Sequence, residues 1–151
     1  METIERLGMT SEITQRINQS FARQDMMNTL GARIDKIDTG KVVLTMQIAP
    51  FMSQQHGAVH AGATFALGDS ASGYAALTVM EPTVEVMTAE MKINLLAPAV
   101  GARLIASGRV VKAGKRLIVT QCDIEAEDEN GARKVVAILQ GTMVPVQTPS
   151  T

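Results

Sequence analysis

Residues 61–80 read AGATFALGDSASGYAALTVM, and this stretch of small and apolar residues decides the fold. It is rich in alanine and leucine and too long for a single strand, so it predicts a helix. Asp69 is its only charged residue, and two serines and three glycines accompany it. These polar and flexible residues disfavour a membrane span. The pattern therefore predicts a long helix buried within the protein.

The segments on both sides of this helix alternate between apolar and polar residues, as β-strands do. In the second segment, for example, Val42, Leu44 and Met46 share one face. Turn residues such as those at 38–40 and 129–131 separate neighbouring segments. Six strands are predicted, at residues 32–38, 41–49, 85–98, 102–112, 116–128 and 133–146.

The strands that follow the helix are expected to form an antiparallel meander. In the first of them, plain alternation places Met87, Ala89 and Met91 on one face. Thr88 and Glu90 then lie on the other face. Such a sheet wraps one face around the apolar helix, which gives an α+β fold.

The ends of the chain complete a single domain predicted over residues 1–151. Residues 10–24 are predicted to form a short amphipathic helix, because Ile13, Ile17 and Phe21 recur at four-residue spacing. The tail at residues 146–151 is expected to fray. Close helix packing and an uncovered sheet favour a homodimer.

Composition excludes several classes of function. The formal net charge of -1 provides no basic surface for nucleic acid, and aromatic residues, at 3%, are too few for base stacking. A single cysteine, Cys122, cannot form an internal disulfide. The N-terminal residues lack the pattern of a signal peptide. We expect a cytoplasmic protein that binds neither nucleic acid nor membranes.

Asp69 admits two interpretations. Because burial of an unpaired charge is costly, this carboxylate must be hydrogen-bonded, neutral or functional. In one interpretation Gly68, Asp69 and Ser70 interrupt the helix, and Asp69 caps the following segment. In the other, Asp69 is a general base or nucleophile in a dry cleft.

Three other features have both a functional and a structural interpretation. His56 and His60 are four residues apart, but no third metal ligand is evident, so loop hydrogen bonding is favoured over a metal site. Cys122 is predicted to be a buried, inert thiol. The backbone of residues 59–63 either forms a tight turn or presents helix N-terminal N–H groups to an anion or oxyanion.

A basic hairpin tip is predicted at residues 112–116, where Lys115 and Arg116 follow a glycine. These side chains either contact phosphate groups or belong to an ordinary solvated turn.

The motif resembles a known family. The pattern Gln54-x-x-Gly57-x-x-His60-Ala61-Gly62, followed by Asp69 and later by TAEMKINLLAP at residues 88–98, is similar to PaaI-like hotdog-fold acyl-CoA thioesterases. The similarity extends over about residues 32–144. It implies a hotdog fold, an antiparallel sheet wrapped around one long helix.

The resemblance also implies roles for individual residues. Asp69 is the implied catalytic carboxylate, and the Ala61 N–H, in a position where the family usually has glycine, polarises the thioester carbonyl. Thr88 helps to position water, and Gln54 replaces the usual asparagine.

Substrate-binding positions come from the same motif and from the hairpin tip. Gly57, His60 and Gly62 belong to the motif, and Lys115 and Arg116 of the hairpin tip are also predicted to bind substrate. The family places its site at a dimer interface, with Asp69 and Thr88 of one chain facing Gln54 and Ala61 of the other.

The implied function is hydrolysis of an aryl-acyl or short- to medium-chain acyl-CoA by a dimer or dimer of dimers. No metal or cofactor is expected, since coenzyme A is part of the substrate. An enoyl-CoA hydratase is a weaker alternative, because Tyr74 stands where those enzymes typically have histidine. A non-catalytic acyl-CoA-binding protein is a second alternative, and Asp69 argues against it.

Overall fold

The long helix forms as predicted, and the computed structural model, which describes residues 11–148, places it against one face of a six-stranded sheet. The helices are α1 (Ser11–Ala22), α2 (Asp25–Leu30) and α3 (Ala61–Leu77). The strands are β1 (Ala32–Asp38), β2 (Lys41–Gln47), β3 (Val84–Leu95), β4 (Arg103–Ala113), β5 (Ile118–Glu127) and β6 (Arg133–Gln147). A 3₁₀ turn, Pro50–Met52, precedes α3.

Helix α3 packs so closely on the sheet that glycine is needed at the contact. A side chain at Gly108 of β4 would place its Cβ 2.5 Å from the Ala71 carbonyl. A side chain at Gly68 would come within 2.8 Å of the Leu139 side chain. Because these contacts leave no room for a methyl group, they fix the distance between α3 and the sheet.

The order of the strands differs from a simple meander. The sheet is antiparallel throughout and runs β1-β2-β4-β5-β6-β3, so β3 pairs with β6 at the far edge. The meander predicted after the helix is therefore wrong for β3. Alternation identifies a strand and its faces but contains no information about which strand lies beside it.

A β-bulge in β3 changes which side chains face the helix. The pairing with β6 shifts between Thr88 and Glu90, so Ala89 is an extra residue. Thr88 consequently faces α3, whereas Met87 is 58% exposed. The alternation predicted here is wrong for the first half of the strand, because the bulge reverses the phase of alternation.

The N-terminal helix predicted at residues 10–24 forms as α1, and residue 10 lies outside the described residues. Helix α2 was not predicted, because six residues are too few to show a helical period. It ends at Gly31, whose φ of 69° is the left-handed conformation that favours glycine at this position.

Polar contacts connect helix α1 to both α3 and β3. The Arg16 guanidinium donates to the Val84 carbonyl and pairs with Glu85. The Tyr74 hydroxyl of α3 lies 3.0 Å from Ser20 Oγ and accepts a 2.7 Å hydrogen bond from Gln24 Nε2. These contacts place α1 over the end of the space between α3 and β3.

Strand β6 extends further than predicted. Val146 pairs with Glu85, and Gln147 pairs with Val84. The prediction of a frayed tail is wrong for these two positions, because the first residues of β3 provide them with backbone partners. Residues 149–151 lie outside the described residues.

An ionic cluster joins the ends of three strands. Glu127 of β5 accepts 2.7 Å hydrogen bonds from Arg103 of β4 and Arg133 of β6. The hydrogen bond from Arg103, followed by that from Arg133, lowers the pKa of the Glu127 carboxyl below its ordinary value. The cluster fixes the start of β4 and hence the loop at residues 96–102.

No helix within residues 11–148 has the length and apolar character needed to cross a membrane.

The helix–sheet contact can be tested with Gly108→Ala. We expect a loss of about 1–3 kcal/mol in the free energy of unfolding, because the added methyl group meets the α3 backbone. Urea denaturation measures the change. Ser107→Ala, on the outer face of the same strand, is the control and should change stability by no more than about 0.5 kcal/mol. Equal stability of wild type and Gly108→Ala would contradict the close contact.

Candidate active site

Asp69 lies in the middle of α3 rather than at a helix end. The helix runs without interruption from Ala61 to Leu77, so the interpretation of Asp69 as a cap is wrong. His60 is the N-cap instead, and its Nδ1 accepts a 2.8 Å hydrogen bond from the Gly62 N–H. The half-buried Asp69 is therefore available for a functional role.

Thr88 holds the Asp69 carboxylate. Its hydroxyl donates a 2.7 Å hydrogen bond to Asp69 Oδ1 and lies 3.4 Å from Met143 Sδ. Within the part of the chain that the structure describes, no other side chain forms a hydrogen bond with Asp69. One carboxylate oxygen is thus oriented by Thr88, while Oδ2 remains available to another group.

The start of α3 presents one unused N–H group. The Val59 N–H donates to Ala99 and the His60 N–H to Met52, both through backbone carbonyls. The Gly62 N–H is bonded to the His60 ring. Among residues 11–148, the Ala61 N–H has no hydrogen-bond acceptor. Because it lies at the positive end of the helix dipole, this group is suited to polarise a carbonyl oxygen.

Gln54 begins a tight loop that leads into α3. Its backbone N–H donates to the Ala58 carbonyl, and its carbonyl accepts from the Gly57 N–H. Gly57 has a φ of 85°, so its glycine is required by the turn, and its contact with substrate stays a prediction. The Gln54 side-chain oxygen accepts from the His56 N–H, which leaves the Gln54 Nε2 as a donor.

A cavity of about 530 Å³ adjoins the start of α3. Its lining includes Gln54, Ala61 and Thr64, together with residues 95–99, which are the last residue of β3 and the loop that follows. Leu95 and Leu96 are 57% and 55% exposed. The sequence analysis did not identify Leu95 and Leu96 as part of a cavity. A signal was present, because two consecutive leucines in a strand cannot both point into the core.

The two parts of the site are separated within one chain. Asp69 follows Ala61 by eight residues of helix, which corresponds to about 12 Å along the axis. A general base and a carbonyl-polarising donor must each come within about 3 Å of the reacting group. Asp69 and the Ala61 N–H of one chain therefore do not meet on one thioester.

Within the described residues, the cysteine and the histidines do not form a metal site. Cys122 is buried as predicted, and burial raises the pKa of its thiol to about 12, so it is an unreactive thiol. His56 is exposed on the loop before α3. The described residues contain no group of three or more His, Cys, Asp or Glu side chains that could hold a metal ion.

The hairpin tip lies at the same level of the sheet as Thr88. Ile118 pairs with Met143, and Met143 pairs with Thr88. Lys115 and Arg116, both exposed, precede Ile118 by three and two residues. Two strand spacings separate Ile118 from Thr88, which is about 10 Å. The hairpin tip is therefore near the level of Asp69 rather than near the start of α3.

A hydrogen-bond network next to Asp69 was missed by the sequence analysis. Ser70 Oγ donates a 3.4 Å hydrogen bond to Gln24 Oε1, and Gln24 also binds the Tyr74 hydroxyl. No local pattern indicates contacts between residues 46 to 50 positions apart. The network positions α1 beside the candidate catalytic carboxylate.

A second cavity, of about 360 Å³, lies on the outer face of the sheet. Glu90, Lys92, Arg109 and Asp123 contribute to its polar lining. Asp69 is on the opposite face, so this cavity is separate from the candidate active site.

Comparison with known proteins identifies the family. Residues 56–132 match the Thioesterase superfamily model. The chain belongs to this family. A thioesterase family protein from Silicibacter pomeroyi is 40% identical, with a TM-score of 0.87, and the match covers 90% of this chain and 99% of that one.

Two further relatives agree with this assignment. The E. coli PaaI protein from the phenylacetic acid degradation operon shares the fold at 24% identity and a TM-score of 0.80, over 93% and 97% of the two chains. A 1,4-dihydroxy-2-naphthoyl-CoA hydrolase from Listeria monocytogenes is 26% identical over 69% of this chain and 85% of the relative. The predicted PaaI-like hotdog fold is confirmed, and the protein is a thioester hydrolase.

The contact between Thr88 and Asp69 predicts a measurable effect on turnover. Thr88→Val removes the hydroxyl, and we expect kcat for thioester hydrolysis to fall by about 10- to 100-fold, since a hydrogen bond to a charged group contributes about 1.5–3 kcal/mol. Thiol release from an acyl-CoA measures kcat. Thr88→Ser, which keeps the hydroxyl, is the matched control and should stay near wild type. Equal losses in the two variants would exclude the hydroxyl as the important group.

Proposed function

We propose that this protein hydrolyses aryl-acyl or short- to medium-chain acyl-CoA thioesters with Asp69 as the catalytic carboxylate. The observation that carries the proposal is the 2.7 Å hydrogen bond from Thr88, which orients one oxygen of a carboxylate located in the middle of α3. A carboxylate in a packed helix has no evident role in stabilising the core, because burial of charge is unfavourable.

The reaction requires a nucleophile for the thioester carbonyl carbon. In one route Asp69 Oδ2 accepts a proton from a water molecule as the water attacks that carbon. In the other, the carboxylate attacks directly, and water then hydrolyses the resulting anhydride. In both, the carbon–sulfur bond breaks, the coenzyme A thiolate takes a proton, and a carboxylic acid is released.

The carbonyl oxygen requires hydrogen-bond donors as negative charge develops on it. The unpaired Ala61 N–H is the primary donor in this proposal, and such a group contributes about 3 kcal/mol to transition-state stabilisation. The Gln54 Nε2 is a second donor near the same helix end. His60 and Gly62 act indirectly, because their hydrogen bond fixes the first turn of α3.

The proposed site is composed of residues from two chains. Asp69 and Thr88 of one protomer would face Ala61 and Gln54 of its partner, which resolves the separation of about 12 Å within one chain. β3 supports this arrangement, because it is an edge strand of 12 residues with exposed Met87 and Leu95. An apolar edge of this length is suited to pairing with a second copy. A dimer, or a dimer of dimers, follows.

Lys115 and Arg116 are the proposed contacts for the coenzyme A phosphates. Both are exposed cationic side chains, and their hairpin is level with Thr88 on the sheet. A phosphate group gains charge-assisted hydrogen bonds from such side chains. Tyr74, the residue that replaces the hydratase histidine, is buried and bonded to Ser20 of α1 and to Gln24, the residue before α2. This arrangement argues against its use as a hydratase acid or base.

The catalytic assignment is tested by Asp69→Asn. This change keeps the size of the side chain and its ability to accept from Thr88, but the amide is neither a base nor a nucleophile. We expect kcat to fall at least ~100-fold while the unfolding temperature stays near wild type. Thiol release is measured on acetyl-, hexanoyl- and phenylacetyl-CoA.

Other outcomes of this assay are informative. Undiminished turnover in Asp69→Asn would remove Asp69 from the mechanism. Wild-type protein that binds acyl-CoA without releasing thiol would be a binding module, and consumption of an enoyl-CoA without thiol release would indicate a hydratase. Either result would overturn the proposed function.

The two-chain site predicts recovery of activity in mixed dimers. Ala61→Pro removes the proposed N–H donor at the first helical position, where proline is well tolerated. The preceding residue, His60, has φ −58° and ψ 136°, which are compatible with a following proline. Asp69→Asn and Ala61→Pro proteins should each be inactive alone.

When the two proteins exchange subunits, each heterodimer has one site without either change and one site with both. An equimolar statistical mixture should therefore recover about a quarter of wild-type activity, because half of the dimers are heterodimers with one intact site of two. Mass spectrometry verifies the exchange. Absence of recovery after complete exchange would place the catalytic groups within one chain.

A further inference from the structure

His60 connects the loop before α3 to the first turn of that helix through its backbone and its ring. Its N–H donates a 2.8 Å hydrogen bond to the Met52 carbonyl, and its carbonyl accepts from the N–H groups of Ala63 and Thr64. Its ring Nδ1 accepts the 2.8 Å hydrogen bond from the Gly62 N–H. The first turn of α3 is therefore held by the contacts of a single residue.

The direction of the Ala61 N–H depends on the same residue. The His60 carbonyl and the Ala61 N–H belong to one planar peptide unit, in which the two groups point in opposite directions. Because the carbonyl accepts hydrogen bonds from the first turn of α3, the N–H points away from the helix. A change that loosens the first turn therefore also changes the direction of the proposed carbonyl-polarising donor.

Glycine at position 62 allows the His60 ring to lie against the backbone. A Cβ built at Gly62 would be 3.0 Å from His60 Nδ1 and 3.3 Å from its Cε1, which is closer than most Cβ contacts in proteins. A side chain at this position would thus push the ring away from the N–H that it binds. The local sequence is fitted to the hydrogen bond between the ring and the helix end.

This hydrogen bond requires a neutral ring. An imidazole nitrogen accepts only when it has no proton, so the proton of the neutral His60 ring is on Nε2. When Nδ1 also binds a proton, both ring nitrogens are donors, and the Gly62 N–H loses its acceptor. The positive ring then also lies at the positive end of the helix dipole, which is unfavourable. The cap is consequently present at high pH and lost as the pH falls.

The surroundings of His60 carry little charge. The cavity of about 530 Å³ that it lines is formed by the loop before α3, the start of α3, the end of β3 with its following loop, and β6. Among the described residues that line it there is no Asp, Glu, Lys or Arg. Two titratable groups remain to be distinguished from His60. They are His56, which is exposed on the same loop, and the partner's Asp69, which would face Ala61 in the proposed two-chain site.

We propose that His60 is a positioning residue that makes thioester hydrolysis depend on the protonation of its ring. With a neutral ring, the cap holds the first turn of α3 and directs the Ala61 N–H at the carbonyl oxygen. With a protonated ring, the cap is broken and the oxygen loses its oriented donor. Histidine changes charge between about pH 5 and 8, where carboxylates in general are still ionised. This inference rests on the proposed function and adds a pH dependence to it.

The test compares the pH dependence of kcat in wild type and His60→Asn, measured by thiol release from acetyl-, hexanoyl- and phenylacetyl-CoA. Asparagine is a good N-cap that does not titrate, because its side-chain amide oxygen accepts from the first N–H groups. From about pH 8 to about pH 6, kcat should fall about 3- to 10-fold in wild type and less than about 2-fold in His60→Asn. His60→Ala cannot form the cap and should be less active than His60→Asn at the higher pH. The phosphate groups of coenzyme A titrate equally in all of these assays.

His56→Asn is the matched control, because His56 is the other of the two histidines in the chain. This variant should keep the pH dependence of wild type. The cap itself is observed by NMR without substrate. The ¹⁵N shifts of wild type should show an unprotonated Nδ1 in His60 at about pH 8, and the protection factor of the Gly62 amide should fall at about pH 6. Unfolding temperatures at both pH values verify that each protein is folded.

The results that contradict this inference differ from those that contradict the proposed function. Equal pH dependence in wild type and a folded His60→Asn would overturn the role of His60 in an active enzyme. So would a proton on His60 Nδ1 at the higher pH, or a Gly62 amide that is equally protected at both pH values. These NMR results decide the matter even where His60→Asn does not fold. Absence of thiol release by wild type on every acyl-CoA would overturn the proposed function, and the effect of His60 on hydrolysis with it.

Discussion

The backbone contact between α3 and β4 is the constraint on which the rest of the structure depends. Gly108 has no side chain, so the Ala71 and Ser72 backbone lies directly against the strand. A layer of side chains ordinarily separates a helix from the sheet on which it packs. At Gly108 part of that layer is missing. Gly68 of the same helix packs closely on Leu139 of β6, which lies beside β3. Together the two close contacts place α3 where Asp69 accepts a 2.7 Å hydrogen bond from Thr88 on β3.

The same constraint explains the distribution of polar groups along α3. Most residues of this helix are apolar, and its buried positions include Leu67, Ala71 and Ala75. Three of its polar side chains form defined contacts: Asp69 with Thr88, Ser70 with Gln24, and Tyr74 with Ser20 and Gln24. A helix that is covered on nearly all sides can accommodate a carboxylate only where a hydrogen-bond donor is supplied. Thr88 of β3 supplies it on one side, and on the other side Ser20 and Gln24 bind the hydroxyl groups of Ser70 and Tyr74.

Much of this arrangement is predictable from local sequence. The boundaries of β1 follow from alternation and turn residues, and α3 from its length and alanine content. The motif that ends in Asp69 identifies the family and selects the residues of the candidate site. The pairing of β3 with β6, the bulge at Ala89 and the contact of Gln24 with Ser70 depend on residues far apart in the chain, and no local period contains them. Asp69 illustrates the division well, because residue types alone permit a helix cap, whereas the continuous helix does not.

The bulge in β3 makes one residue of this strand dispensable for pairing. On β6, Met143 and Thr142 are adjacent, and they pair with Thr88 and Glu90. A single-codon deletion of Ala89 would therefore give regular alternation with the same partners, and Thr88 would still face Asp69. Among descendants of this sequence, loss of Ala89 is expected to be tolerated. An insertion between Thr88 and Glu90 would instead add a second unpaired residue beside the candidate catalytic pair.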